Sequence, residues 1–105
     1  MEVTFFTDRV YDFLFSLPTI PHGRVAKGLA LLEQYGHELR YPHSKKVAPG
    51  IFELRVHGDQ SVRIFFTFHR SRAVILHAFI KKTSKIPPRE LKKAKDLYSM
   101  LLQGK

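Results

Sequence analysis

The chain has 105 residues, 44% of them hydrophobic, which predicts one globular domain over residues 1–105. It has no cysteine, which excludes disulfides and thiolate chemistry, and no apolar run near the roughly 20 residues needed to cross a bilayer. We therefore expect a cytoplasmic protein without membrane contact. Residues 1–50 hold six basic and five acidic side chains, whereas residues 51–105 hold twelve and four. This asymmetry favours a polyanionic partner, nucleic acid first.

The N-terminal half predicts one strand and two helices. Residues 3–6 suit a short strand, and Thr7 suits the N-cap of a helix that runs to about Ser16 and is stopped by Pro18. Gly36 is expected to end the second helix. Apolar residues recur at helical spacing in both: Val10, Phe13, Leu14 and Leu17, then Val25, Leu29, Leu32 and Tyr35. Residues 37–50 contain two prolines and a glycine, and we expect a connecting loop there.

After residue 50 the apolar period changes from helical to two, which predicts strands. The apolar members of the first two strands all have even numbers: Phe52, Leu54, Val56, Val62, Ile64, Phe66 and Phe68. Hairpin-turn chemistry at residues 57–60 separates these strands, and a second turn at residues 69–72 leads to a third. Residues 73–80 are apolar on both faces, which is typical of a strand with a neighbour on each side.

The C-terminal segment predicts a helix that starts at Pro87 and Pro88, because proline is tolerated in the first helical turn. Its expected apolar stripe consists of Leu91, Ala94, Leu97, Tyr98, Leu101 and Leu102. The element order is therefore β-α-α-β-β-β-α. We predict an α+β fold in which an antiparallel sheet carries the helices on one face, above the even-numbered strand residues.

Two arginines are expected side by side on the other face of this sheet. If the hairpin loop is 58–60, then Val56 pairs with Val62 and Arg55 lies opposite Arg63. Like charges directly across a strand pair are destabilising, so the arrangement makes sense if an anion docks between them. Arginine suits phosphate because its planar fork donates two parallel hydrogen bonds. The alternative is that Glu53 neutralises Arg63 diagonally and nothing binds.

Several lysines are candidates for the same cationic site. Lys81 and Lys82 follow the last strand directly, at the end where the arginines are expected. Lys85 comes just before the last helix, and the loop lysines Lys45 and Lys46 precede the first hairpin strand. The alternative for such a lysine pair is ordinary solvation of a strand end.

The six histidines do not predict a metal site. Their spacings match no zinc pattern, and the sequence lacks the motifs HExxH and GxSxG and any glycine-rich phosphate loop. We therefore expect no metal and no cofactor. His77 lies inside the apolar third strand of the C-terminal half, where a hydrogen-bonded core histidine is favoured over a catalytic one.

The segments PHSKKVAPGIFELRV, VRIFF and ILHAFIKKTSKIPPRELKKAK, in this order, resemble the phage-derived, HigB-like branch of the RelE/ParE toxin superfamily. The similarity covers about residues 24–98. The resemblance implies a RelE-like fold and matches Arg55 and Arg63 to the family's sheet arginines. It also matches Lys81 and Lys82 to the basic group after the last strand. The better-studied members carry lysines where this chain has Ile51 and Glu53.

The resemblance further implies the toxin of a type II toxin–antitoxin pair, held inactive by an antitoxin with a helix-turn-helix domain. Such toxins are typically endoribonucleases that cut mRNA on the ribosome without a metal. On this basis the expected catalytic residues are Arg55, Arg63, Lys81 and Lys82, the expected RNA-binding residues are Lys45, Lys46 and Lys85, and Glu53 is a candidate base. Two alternatives remain open: a ParE-like inhibitor of DNA gyrase, and a basic RNA-binding domain without chemistry.

Overall fold

A computed structural model describes residues 1–16, 18, 20–56 and 62–104. Three α-helices and five strands occur in these residues: β1 Glu2–Phe5, α1 Asp8–Ser16, α2 His22–Tyr35, β2 Ser44–Ala48, β3 Ile51–Val56, β4 Val62–His69, β5 Arg72–Ile80 and α3 Pro88–Gly104. A short 3-10 helix, Gly36–Glu38, follows α2. The predicted α+β class is confirmed. Leu17 and the predicted hairpin turn at 57–60 lie outside the described residues.

The five strands form one sheet in the order β1-β5-β4-β3-β2. The loop that the sequence predicts over residues 37–50 is wrong for Ser44–Ala48, which forms β2 by pairing with β3. The expectation of a fully antiparallel sheet also needs correction: β1 pairs with β5 in parallel, so the sheet is mixed. The expected two neighbours of β5 are present along residues 72–75, which lie between β1 and β4.

The predicted register of the first hairpin is confirmed. Val56 pairs with Val62, Arg55 with Arg63 and Glu53 with Phe65. The turn from β4 to β5 is also where it was expected.

Residues Arg70 and Ser71 form a two-residue loop between the paired His69 and Arg72, with φ of 53° and 64°. Positive φ at both loop positions is the geometry of a type I′ hairpin, which matches the right-handed twist of the strands.

Helices α1 and α2 cover one face of the sheet, which we call the first face. The even-numbered residues of β3 and β4 lie under them as predicted, with Leu54, Val56, Val62, Ile64 and Phe66 buried in one cluster. The helices contribute Val10, Leu14, Val25, Leu29 and Leu32 to this cluster. Burial of these apolar side chains is the main source of the fold's stability.

Helix α3 packs on the opposite face, the second face, and not beside α1 and α2 as expected. Its buried Ala94 lies in a cluster with Ile51, Phe65, Val74, Leu76 and Phe79, and Leu91, Leu97, Tyr98 and Leu101 pack against that cluster. Leu102, expected in the same stripe, is 51% exposed. A register shift opposite Phe65 and Phe66 adds one residue, Leu76, to β5 and changes which residues face each side beyond it. The apolar residues of β5 reach both faces because side chains alternate along a strand.

The predicted N-cap of α1 and the predicted end of α2 are confirmed. The Thr7 hydroxyl accepts a hydrogen bond from the Val10 N–H at 3.3 Å, which caps α1. Gly36 ends α2 with a φ of 53°. Gly50 has a φ of 77° between β2 and β3, and a Cβ there would lie 2.5 Å from the Tyr98 hydroxyl oxygen. No helix among the described residues is long and apolar enough to span a membrane.

Candidate anion-binding site

The second face carries a polar area beside the part that packs against α3. Cross-strand pairing places Arg55 directly opposite Arg63, and Arg63 opposite Phe79. Glu53 belongs to the adjacent row, between Lys45 and Phe65. Directly paired residues share a face of the sheet, so the two arginines, Glu53 and Lys45 lie together.

Glu53 is the centre of this group. Its side chain is only 1% exposed, and its two carboxylate oxygens face different arginines. Oε1 lies 3.7 Å from the Arg55 Nε, and Oε2 lies 3.4 Å from the Arg63 Nε. The Arg55 and Arg63 side chains are 23% and 14% exposed, so both reach the surface, whereas the carboxylate does not. The diagonal pairing of Glu53 with Arg63, weighed above as the alternative to anion binding, is therefore present.

The polar atoms inside this cluster are not fully satisfied. Neither Glu53 oxygen and neither arginine Nε has a hydrogen-bond partner within the described part of the chain, although all are buried. A buried ion pair without hydrogen bonds is expensive, because attraction must offset the loss of hydration. Burial lowers the pKa of Arg63, as does the nearby Arg55, while Glu53 raises it. Arginine keeps its charge in proteins, so the cluster holds two positive charges against one negative charge.

The two ion pairs with Glu53 do not involve the outer ends of the arginines. Both guanidiniums approach Glu53 through Nε, and the terminal Nη atoms are the fork that a phosphate accepts. One Arg63 Nη donates a long hydrogen bond of 3.4 Å to the Val62 carbonyl. The arrangement can therefore bind an anion from the solvent side. Glu53 is 1% exposed, so its carboxylate is out of reach of a substrate hydroxyl at the surface.

A residue that the sequence analysis did not select completes this area. The Arg55 guanidinium carbon lies 5.2 Å from the centre of the Tyr41 ring, in a cation–π contact. Tyr41 is 68% exposed, an unusual value for so large a side chain. Sequence alone gave no signal for this contact, because Tyr41 precedes the strand that was itself missed.

The candidate lysines are distributed over several places. Lys45 pairs with Glu53 and shares its face, whereas Lys46 pairs with Phe52, whose ring packs against the first-face cluster. Lys81 follows β5 directly, and Lys82 lines a cleft described below. Lys85 is exposed, and its carbonyl accepts a hydrogen bond of 2.7 Å from the Thr83 hydroxyl.

A cleft of about 740 Å³ lies between α1, the second half of β5 and α3. Arg9, Phe13, His77, Lys82, Glu90 and Lys93 are among the residues that line it. His77 Nε2 lies 2.7 Å from Glu90 Oε1, so the predicted hydrogen bond is present. The predicted core position is wrong, because the side chain is 21% exposed and lines the cleft. The sequence predicted that Lys82 lies beside the arginines. In the structure it lines this cleft instead.

Comparison with known proteins assigns the family. No curated protein matches the chain. The family model of phage-derived Gp49-like proteins (DUF891) matches residues 12–99, which include both arginines, Glu53 and Tyr41. Because this match covers most of the chain, the protein belongs to the phage-derived Gp49-like family, a RelE-like, toxin-related family.

Proposed function

We propose that this protein is the toxin of a type II toxin–antitoxin pair and cleaves mRNA bound to the ribosome, as a HigB-like endoribonuclease. One observation carries the proposal: two adjacent guanidiniums on the second face are held through Nε by a shared buried carboxylate. Membership of a toxin-related family supports the same function.

The proposed reaction is an attack of a ribose 2′-oxygen on the adjacent phosphorus, which forms a 2′,3′-cyclic phosphate as the bond to the 5′-oxygen breaks. The proton of the 2′-hydroxyl passes to solvent. The phosphorus passes through a crowded state with extra negative charge, and fixed cations aimed at that charge lower the barrier. The Nη atoms of Arg55 and Arg63 are assigned this role. Lys81 or Lys82 assists the leaving 5′-oxygen by donating a proton or by its charge.

Glu53 is proposed to position the arginines and not to act as the base. Its carboxylate is only 1% exposed and each oxygen faces an arginine Nε, so a 2′-hydroxyl bound at the surface would not reach it. By neutralising one of the two charges it also permits Arg55 and Arg63 to lie opposite each other.

The ribosome is proposed to supply the orientation that this shallow site lacks. Orientation of reacting groups can contribute about 7–11 kcal/mol, so a weak site on the free protein is compatible with fast cleavage on the ribosome. Lys45 and Lys85 are proposed to bind the RNA backbone, with a smaller part for Lys46, which pairs with Phe52 of the first face. A helix-turn-helix antitoxin is the proposed partner that holds the protein inactive.

The test is induced expression followed by mapping of RNA ends. We expect growth arrest, new discrete 5′ ends in mRNA, and loss of both in Arg63→Ala with an unchanged circular dichroism spectrum. Arg72→Ala is the matched control, because it removes one arginine from the same sheet. Arg72 lies seven residues along β5 from Phe79, the strand partner of Arg63, which is a distance of roughly 20 Å. It should remain toxic.

Three outcomes would overturn the proposal. Intact transcripts together with DNA damage would identify a gyrase inhibitor. Salt-dependent RNA binding without cleavage, on or off programmed ribosomes, would identify a binding domain without chemistry. Undiminished toxicity of a folded Arg63→Ala protein would exclude the arginine pair as the active site.

A further inference from the structure

Tyr41 has an arrangement that packing does not explain. The side chain is 68% exposed, so it buries little apolar surface, yet its ring is held by the Arg55 guanidinium at 5.2 Å. A guanidinium on one face of an exposed ring leaves the opposite face open to solvent. An open aromatic face is the surface on which an unpaired nucleic-acid base stacks.

The neighbourhood of Tyr41 supplies the other contacts that a nucleotide needs. Arg55 is held by Glu53 through Nε, and its outer end is available for a phosphate. Arg63 lies directly across the strand pair, and Lys45 shares the same face of the sheet. A phosphate held by the arginines would therefore place a nearby base next to the Tyr41 ring.

We propose that Tyr41 is a stacking platform that positions one unpaired RNA base beside the arginine pair. The proposal rests on RNA being the substrate, as inferred above, and adds which side chain holds the base. Tyr41 is a positioning residue in this scheme. Stacking accepts any base because every base has an aromatic face, so Tyr41 contributes affinity and orientation with little sequence selectivity.

The competing explanation is that Tyr41 only holds Arg55 in place. Under that explanation, removing the ring weakens phosphate binding by Arg55 equally for RNA with and without a base at the contacted position. Under the proposal, the loss depends on the base. An abasic nucleotide therefore separates the two.

The experiment measures binding of a short, fluorescently labelled single-stranded 2′-O-methyl RNA, which lacks the attacking hydroxyl and cannot be cleaved. Anisotropy titrations at low salt compare the parent protein with Tyr41→Ala, Tyr41→Phe and the matched control Tyr35→Ala, in which another exposed tyrosine is removed. Each protein is also titrated with RNAs in which a single abasic position is moved along the chain.

We expect Tyr41→Ala to weaken binding about 5- to 100-fold, the range of one lost base–aromatic stack. Tyr41→Phe retains the ring and should bind within about twofold of the parent, as should Tyr35→Ala. One abasic position should weaken the parent by a similar factor and leave Tyr41→Ala unchanged. Normal binding by Tyr41→Ala, or equal losses with intact and abasic RNA, would overturn the proposal.

The proposed nuclease function is tested separately, by cleavage on programmed ribosomes. Stacking at Tyr41 without cleavage on programmed ribosomes would support the platform and contradict the nuclease. Cleavage by Tyr41→Ala with parental kcat and KM would overturn the platform alone. Absence of RNA binding by the free parent protein would overturn the platform alone, because the nuclease proposal is decided by cleavage on programmed ribosomes.

Discussion

The two faces of the sheet are built from the same strands but solve different problems. The first face is covered by α1 and α2, and its residues on β3 and β4 are apolar side chains such as Leu54 and Ile64. The second face packs against α3 over one part and elsewhere carries Glu53, Arg55 and Arg63. Because side chains alternate along a strand, one residue can stabilise the core on the first face while its neighbour carries a charge on the second face.

The consequence is that stability and anion binding should respond to different substitutions in this chain. Buried apolar surface on the first face stabilises the fold in any ionic condition. The charged cluster on the second face contributes less, because hydration lost by three ionised groups offsets most of their attraction. The following predictions test this separation, starting with the largest effect.

Leu54→Ala on the first face should lower the free energy of unfolding by about 2–5 kcal/mol, because it removes buried methyl groups and leaves a cavity. Urea or thermal unfolding followed by circular dichroism measures this change. The loss should be the same at low and high salt. A loss below about 1 kcal/mol would show that the first face is not closely packed at Leu54.

Glu53→Gln, one position away on the second face, should lower the free energy of unfolding by about 1–3 kcal/mol, because two arginines lose their shared counter-ion. Unlike the Leu54 variant, it should regain stability when sulfate is added, since the anion replaces the lost carboxylate. The gain must exceed that of the parent, because sulfate also stabilises proteins in general. An equal gain in the free energy of unfolding on addition of sulfate to the parent, Leu54→Ala and Glu53→Gln would contradict separate roles for the two faces.

Ser71→Gly, in the hairpin that both faces share, should raise the free energy of unfolding by roughly 0.5–1 kcal/mol. It relieves a left-handed residue that costs about 1–2 kcal/mol, partly offset by the greater freedom of glycine in the unfolded chain. Ser71→Ala keeps the positive φ and should give no gain. A gain of the same size in the alanine variant would exclude backbone strain as the cause.

Lys45→Ala and Lys46→Ala should each change the free energy of unfolding by less than about 0.5 kcal/mol, because both lysines are exposed. They should differ in binding of single-stranded RNA. Lys45 shares the second face with Glu53, so its loss should weaken binding and reduce the salt dependence, while loss of Lys46 should have the smaller effect. Equal losses in both variants would contradict a site confined to the second face.

Local chemistry in the sequence was sufficient for much of this structure. Alternation with period two identified the first-face residues of β3 and β4, and the opposition of Arg55 and Arg63 followed from the loop length. The cap at Thr7 and the end of α2 at Gly36 depend on neighbouring residues alone, so they were predictable as well.

The missed strand has a specific cause. Ser44–Ala48 is short, its apolar residues do not alternate, and prolines precede and follow it. It is the edge strand of the sheet and pairs only with β3 among the described strands. Such a segment becomes a strand through hydrogen bonds to an existing sheet and not through its own propensity.

What the sequence by itself determined is therefore the alternation, the hairpin register and the placement of two like charges side by side. Three features depend on the tertiary structure alone. Helix α3 packs on the second face, Glu53 is buried and paired with both arginines, and Tyr41 lies against Arg55. These features join residues far apart in the chain, or depend on how deeply a side chain is covered. Local spacing encodes neither these long-range contacts nor the depth of burial, because both depend on which surfaces become buried when the whole chain folds.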